Sequence, residues 1–442
     1  MKVVVAGLGR SGLAAALLAK VRGAEVAVTE AVGREKVDPA HLQRLAEAAI
    51  PVECGGHTEA VLAGADLLVV SPGIPATSPI YAMAAARNLE VIGELGLAAS
   101  CVDAPMVAIT GTNGKSTVTT LIGAMLEAAG RRPFVGGNLG VPLAEYALGE
   151  QTASALVLEV SSFQLDTVGY LRPAVAVLLN ISPDHLDRYP DFSAYVRSKL
   201  RIFADQTAAD HAVVNMDDPE CAAGAVGIGS RLCGYSRSGG GLPVHLRGTA
   251  VVFRGEAGEE LYPLPAKLSL GPNPENCMAA VAAARLLGCP AHAVRRGLDD
   301  FQPLPHRLAL VRQHGGVRYV DDSKATNIGS VQAALRAMDA PVVLIAGGRD
   351  KLGDYAIMAK DVAEHVRAMV VIGEAAARLE AAFAPFTRVE RAADMAAAVA
   401  AAARLAVPGD IVLLAPACAS FDMFSGYAER GRVFRAAVTA LP

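Results

Sequence analysis

A chain of 442 residues is too long for one ordinary α/β domain and long enough to bury several cores. A formal net charge of −4 with 19% charged residues argues against a nucleic-acid-binding surface. The 7 cysteines are odd in number and include no C-x-x-C pair, which suits reduced thiols in a cytoplasm rather than a disulfide frame or a zinc site.

The opening residues imitate a secretion signal, with Lys2 ahead of an apolar run. Arg10 and the polar turn at 9–12 break that run, and no cleavage site follows. No stretch reads as a membrane span. The pattern predicts a strand at 3–6, the turn Gly7-Leu8-Gly9-Arg10-Ser11-Gly12, an apolar helix at 13–21 and a second strand ending beside Glu30. This is a G-x-G-x-x-G βαβ unit with an acidic residue about 20 positions on. Alone it reads as a nicotinamide dinucleotide site and an oxidoreductase, although its glycines certify only that backbone approaches something anionic. A strand at 67–70 then ends in Ser71-Pro72-Gly73-Ile74, at the sheet edge where ligands of open α/β sheets gather.

The second α/β unit opens on a strand ending at Ile109, followed by Thr110-Gly111-Thr112-Asn113-Gly114-Lys115-Ser116-Thr117 and a helical pattern. Glycines between a strand and a helix N-terminus let backbone N–H groups wrap a phosphate chain. Lys115 would reach the outer phosphates of ATP and the Ser116 hydroxyl a Mg²⁺. Ile109 stands where a full Walker A has its first glycine, so the spacing is incomplete. A bare glycine turn capped by Ser or Thr would not explain Gly-Lys-Ser together. Further along come the glycine loop 136–140 with Asn138, and a strand carrying Glu159 near its end, placed across the sheet from the phosphate loop. A polar turn at 180–188 holds His185, and a helix at 192–203 carries Lys199. Glu159 suits a Mg²⁺ ligand as well as a solvated strand end. Lys199, taken by itself, reads as a surface lysine on an amphipathic helix. Residues 236–263 read as short peripheral hairpins, and Gly271-Pro272-Asn273 opens an apolar helix. After a Pro-rich boundary at 302–305, a third unit alternates strands at 317–320, 342–346, 369–372 and 411–414 with helices. Its strand ends carry Asp322, Lys324, Arg349, Asp350 and Lys351. The whole reads as three α/β units with mostly parallel sheets: 1–98, 99–303 and 304–442.

Taken together, TGTNGKST at 110–117, LEVSSFQLD at 158–166, NISPDHLDR at 180–188, Lys199, PHR at 305–307, DDSKATN at 321–327 and PACASFD at 416–422 resemble the Mur ligases over essentially the whole chain. The resemblance implies an N-terminal Rossmann-like domain for a UDP-linked substrate, a central P-loop ATPase-like domain and a C-terminal Rossmann-like domain for the amino acid. This replaces the nicotinamide reading of Gly7–Gly12. It implies ATP and two Mg²⁺ ions as cofactors. It implies UDP-N-acetylmuramoyl-L-alanine and D-glutamate as substrates, joined through an acyl phosphate, and a monomeric cytoplasmic enzyme. Residue by residue it assigns ATP to 111–117 (Gly111, Thr112, Asn113, Gly114, Lys115, Ser116, Thr117), Asn273, Arg307 and Asp322. It assigns metal to Ser116, Glu159, His185 and a Lys199 carbamoylated by CO2, and catalysis to Lys115, His185, Lys199 and Arg307. The substrates fall to Gly73, Asn138, His185, Lys324, Thr326, Lys351, Ser420 and Phe421. Arg10 and Ser11 would compensate for the apolar Ala31 and Val32 where relatives offer polar contacts, and Pro272 stands where the family usually has histidine. A sibling ligase, adding a diamino acid or extending folate, is the nearest alternative.

Overall fold

The computed structural model describes residues 1–186, 188–239, 241–256, 258–269, 271–350 and 353–442. Three sheets succeed one another along the chain. The first has 5 strands, all parallel, in the order Val52–Cys54, Glu25–Glu30, Lys2–Ala6, Leu67–Val70, Glu90–Gly93. The second has 9 strands. Its centre runs Val175–Leu178, Met106–Thr110, Ala155–Glu159, all parallel, with Pro133–Gly137 at one edge. On the other side lie His211–Asn215, Arg231–Ser236 and Val244–Arg247. The predicted hairpins are Ala250–Gly255 and Gly258–Pro263, which add antiparallel to that edge. The third sheet has 6 strands and a parallel body; Ala309–His314, an edge strand not read from the sequence, pairs antiparallel with Val317–Asp321.

The central strands are apolar on both faces because helices cover both faces. Every residue of Met106–Thr110 and Ala155–Glu159 is buried. On one side helix Lys115–Ala128 packs with Asn273–Leu286 and Ala291–Asp300. Small residues set that spacing: a Cβ on Gly297 would lie 2.7 Å from the Met125 Cα, so two helices meet backbone to backbone. Glu159 stands on the strand adjacent to the one that leads into the phosphate loop, paired with Ile109 rather than across the sheet.

The first sheet is tied to the second through helix Glu94–Ala99. The Gly93 N–H donates to the Thr167 carbonyl, and a Cβ on Gly96 would fall 1.6 Å from the Val168 carbonyl oxygen. Backbone therefore presses on backbone, with nothing flexible to move aside. Gly96→Ala is expected to cost about 2 kcal/mol or more, as overpacking against backbone does. The check is a lower thermal midpoint at unchanged secondary-structure content; a wild-type midpoint would contradict the tight contact.

Candidate active site

The phosphate loop leaves the central strand at Thr110 and turns through Gly111 at φ +149 and Gly114 at φ +87, both in the range that favours glycine. Asn180, from the end of the neighbouring strand, holds the loop by its amide: Oδ1 accepts from the Asn113 N–H at 2.8 Å and Nδ2 donates to the Asn113 carbonyl at 3.1 Å. The Gly111 carbonyl receives two amines, Lys115 Nζ at 2.8 Å and Lys199 Nζ at 2.9 Å. Lys199 is 1% exposed, not a surface residue, and its Nζ also lies 4.6 Å from the centre of the Tyr195 ring. Burial, and after it the charge of Lys115, pulls the Lys199 amine well below the ordinary lysine range. The helix that carries it, Phe192–Leu200, is started by Asp191, whose side chain accepts from the Ala194 N–H.

Glu159 is 4% exposed. Asn138 Nδ2 donates to its Oε1 at 2.7 Å, while Oε2 is buried without a hydrogen-bond partner. A buried carboxylate oxygen left unpaired is costly unless a cation or donor arrives. Among the described residues, no three His, Cys, Asp or Glu side chains cluster closely enough to hold a metal ion. That donor set fits Mg²⁺, which usually takes one or two protein oxygens and completes its shell with phosphate and water. His185, at φ +56, sets its ring edge-on to Phe163 at 4.9 Å and its Nε2 3.7 Å from Asp184 Oδ2.

The third sheet brings its own loops to the same place. Asn113, Gly114, Thr117, Asn273, Arg307, Asp322 and Lys324 all line one cavity of about 360 Å³. Arg307 faces both Asp322 and Glu159, whose charges oppose the lowering that burial imposes on it. Burial pushes Asp322 up to about 7, with Arg307 acting against that shift. Asn327 caps helix Ile328–Arg336 and reaches across to the phosphate loop. Its Nδ2 donates to Asn113 Oδ1 and to Asp184 Oδ2, each at 3.0 Å, and Ser330 Oγ donates to Asn113 Oδ1 at 2.7 Å.

Family comparison agrees with this layout in chain order: a MurD-like Mur ligase N-terminal domain over residues 1–93, a Mur ligase middle domain over 109–284, and a Mur ligase glutamate ligase domain over 306–418. The chain belongs to the Mur ligase family. A UDP-N-acetylmuramoylalanine--D-glutamate ligase from Geobacter metallireducens is 46% identical, over 99% of this chain and 97% of that protein. One of the same name from Geotalea uraniireducens is 44% identical, over 100% and 97%. Among solved structures, MurF from Acinetobacter baumannii superposes with TM-score 0.64 at 19% identity, over 93% of this chain and 91% of that one. MurF from Thermotoga maritima in complex with ADP gives 0.63 at 18%, over 94% and 95%. These structures share the fold.

Other residues singled out from the family motifs are more dispersed. Ser420 is 2% exposed and Phe421 66% exposed, although they are neighbours in the chain. Thr326 is half-buried beside Lys324, whose Nζ lies 3.8 Å from the centre of the Tyr427 ring. Lys351 lies outside the described residues. In the first unit, Glu30 turns both oxygens back on its own loop, accepting from the Leu8 N–H at 2.6 Å and the Val32 N–H at 3.1 Å. It therefore does not present a carboxylate to a ribose, which removes the main support for a nicotinamide site. Arg10 is paired with Glu145, Nε to Oε2 at 2.8 Å, and Nη1 donates to the Gly140 carbonyl at 3.1 Å. Its charge thus bridges the first and second units. The carbonyl of Gly73 faces Arg188 Nη1 at 3.4 Å. A groove there is lined by Arg10, Ser11, Asn138 and Gln164, with Glu94 at its floor.

Glu94, Asn327 and Ser330 received no role from the sequence. Asn327 ends the DDSKATN stretch, so a signal was present; Glu94 had none. Glu94 is 4% exposed, and Ser71 Oγ donates to it at 2.5 Å. Burial pushes its carboxyl up to about 7, against the hydrogen bonds of Ser71 and Ser11. Between the unfolded value near 4.5 and about 7 the folded chain keeps a proton that the unfolded chain has released, so raising pH favours unfolding. Wild-type stability relative to Glu94→Gln is expected to fall across that window by on the order of 3 kcal/mol and to level off above it. Denaturant titrations at several pH values check this; parallel curves would refute it.

Proposed function

We infer that the protein is an ATP-dependent ligase that joins D-glutamate to UDP-N-acetylmuramoyl-L-alanine, giving ADP, phosphate and the amide in peptidoglycan precursor synthesis. One observation carries the reading: the phosphate loop opens onto the same cavity as Arg307, Asp322 and Lys324 of the third unit, so an activated carboxyl and an incoming amino acid can meet there. The end-to-end similarity to relatives bearing that reaction's name supports the choice of substrates. No described helix is long and apolar enough to cross a membrane.

The chemistry follows from charge. An oxygen of the substrate carboxylate attacks the γ-phosphorus of ATP, the new P–O bond forms, and ADP leaves. Two anions must approach, and their repulsion in a partly buried cleft amounts to several kcal/mol unless offset. Lys115 and Arg307 supply positive charge there. Ser116, Glu159, His185 and a carbamoylated Lys199 would hold Mg²⁺, which when bound neutralises phosphate oxygens. The unpaired Glu159 oxygen suits that role. The downward pull on the Lys199 amine favours addition to CO2: the unprotonated nitrogen attacks carbon, a proton leaves, and a carbamate anion would stand where the amine was. In the second step the amine of D-glutamate attacks the acyl carbon, the C–O bond to phosphate breaks, and the amine gives up its proton. Asn273 would face adenine, Asp322 the ribose, and Gly73, Asn138 and Ser11 the UDP-substrate. Thr326, Ser420, Phe421, Lys324 and Lys351 would surround D-glutamate, with the two lysines matched to its carboxylates.

The direct test is a phosphate-release assay with a panel of amino acids in both enantiomers and mass analysis of the product. Release of ADP and phosphate is expected only with UDP-N-acetylmuramoyl-L-alanine and D-glutamate together. Turnover with a diamino acid instead would point to a sibling ligase. For Lys199→Ala the rate is expected to drop roughly 100-fold or more, the scale seen when a preorganised charge is removed, with partial recovery in short carboxylic acids. Wild-type rates in that variant would end the carbamate assignment.

A further inference from the structure

Arg430 is the largest fully buried side chain among the described residues, at 0% exposure. It stands on the last helix, Tyr427–Thr439, beneath the loops that leave three strands of the third sheet. Its guanidinium spans all three. Nε donates to Ser323 Oγ at 3.0 Å and Nη2 to the Ser323 carbonyl at 2.9 Å. Nη1 donates to the carbonyls of Cys418 at 3.1 Å, Ala419 at 3.3 Å and Gly347 at 3.5 Å. No ion pair of Arg430 is found among the described residues, so backbone carbonyl dipoles and one hydroxyl solvate the charge. Burial pulls the guanidinium down to about 10, although Cys418, Asp422 and Asp321 act the other way.

The loops it joins are the ones that matter for the amino acid. Ser323 precedes Lys324, Ala419 precedes Ser420, and Gly347 leads toward Arg349 and Asp350. The same helix also presents Tyr427 beneath the Lys324 ammonium, and the Tyr427 carbonyl accepts from Ser323 Oγ at 2.8 Å. A Cβ on Gly348 would sit 3.1 Å from Nη1 and 2.2 Å from the Ala419 carbonyl oxygen, so the seat is closely fitted. A planar fork with five donors can bridge three loops; a lysine, with its donors at one point, cannot.

We propose that Arg430 is a positioning residue for the acceptor amino acid: by fastening the loops after Asp321, Gly347 and Ala415 to one rigid fork, it fixes Lys324 and Ser420 where the carboxylates of D-glutamate land. The proposal rests on the ligase reading above. A further consequence is electrostatic, since an internal cation without a paired carboxylate favours a doubly anionic ligand over a neutral one.

The test is steady-state kinetics of the full-length enzyme with each substrate varied in turn. Arg430→Lys, which keeps the charge and loses the fork, is expected to raise KM for D-glutamate roughly tenfold or more, the scale of lost charge-assisted hydrogen bonds. KM for ATP and for UDP-N-acetylmuramoyl-L-alanine should stay within about twofold, as expected when only one subsite is disturbed. Arg430→Met should raise the D-glutamate KM further. Should either variant fail to fold, Ser323→Ala removes the Nε acceptor together with the donor to the Tyr427 carbonyl, leaves the Nη1 and Nη2 bonds to backbone in place, and is expected to raise the same KM about threefold. Equal changes in all three KM values, or a lower thermal midpoint with unchanged KM for D-glutamate, would overturn the proposal. A wild-type enzyme inactive with D-glutamate would instead overturn the ligase reading and leave this one without its substrate.

Discussion

Two amines share one carbonyl oxygen, and much of the site is arranged around that fact. Lys115 and Lys199 both donate to Gly111, a residue at φ +149 where a side chain would run into Leu179 and Asn180. Like charges that close repel by about 4 kcal/mol at 4 Å even in a moderately polar medium. The buried Lys199 cannot keep its charge without cost, and its amine is pulled down accordingly, first by burial and then by the charge of Lys115. A buried lysine amine pulled down in this way beside a phosphate loop is better suited to be a nucleophile than a counter-ion. The carbamate proposed for Lys199 rests on this, and the unpaired Glu159 oxygen belongs to the same argument: both would gain when cations and phosphates arrive together.

The fold supplies the convergence by simple means. Parallel strands end on the same side, so the loop after Thr110, the Glu159 carboxylate and the turn after Leu178 emerge at one edge. The third sheet then faces that edge with its own strand ends. Backbone packed almost against backbone, helix on helix at Gly297 and helix on a connecting segment at Gly96, leaves little freedom for the edge to shift. Rigid sheets with functional loops at their ends are a general solution to placing charges within a fraction of an ångström.

Much of this was readable from the residues. Apolar runs bounded by glycine turns marked the parallel strands, and a Gly-Lys-Ser at a strand–helix junction has few other uses. Three kinds of information were not readable. Burial of Lys199 depends on what packs against its helix, and a helix of Phe192–Leu200 composition looks like a surface helix. Strands as short as Val52–Cys54, or as polar as Ala309–His314 at an edge, carry too little periodicity to stand out. Residues such as Glu94, Asn327 and Arg430 take much of their meaning from distant partners, Ser71 at 23 positions, Asp184 at 143 and Ser323 at 107, so no local pattern encodes it. The glycine turn at 7–12 shows the converse: a strong local motif whose acidic partner, Glu30, is spent on the loop itself.

Among the described residues, the hydrogen bonds between the phosphate loop and the third unit are made by amides and a hydroxyl, with the Asp184 carboxylate accepting one more beside them. Asn113 belongs to the phosphate loop, is gripped through its backbone by Asn180, and offers its side chain to Asn327 and Ser330. Neutral hydrogen bonds of this kind contribute only about 1 kcal/mol each and are little affected by salt. They specify an arrangement without locking it. A contact beside a phosphate-binding loop is better made from such groups than from charges that bound phosphates would compete for. Charge is instead kept for the cavity itself, in Arg307, Asp322 and Lys324, and for the interior Arg430 that joins loops of the third sheet.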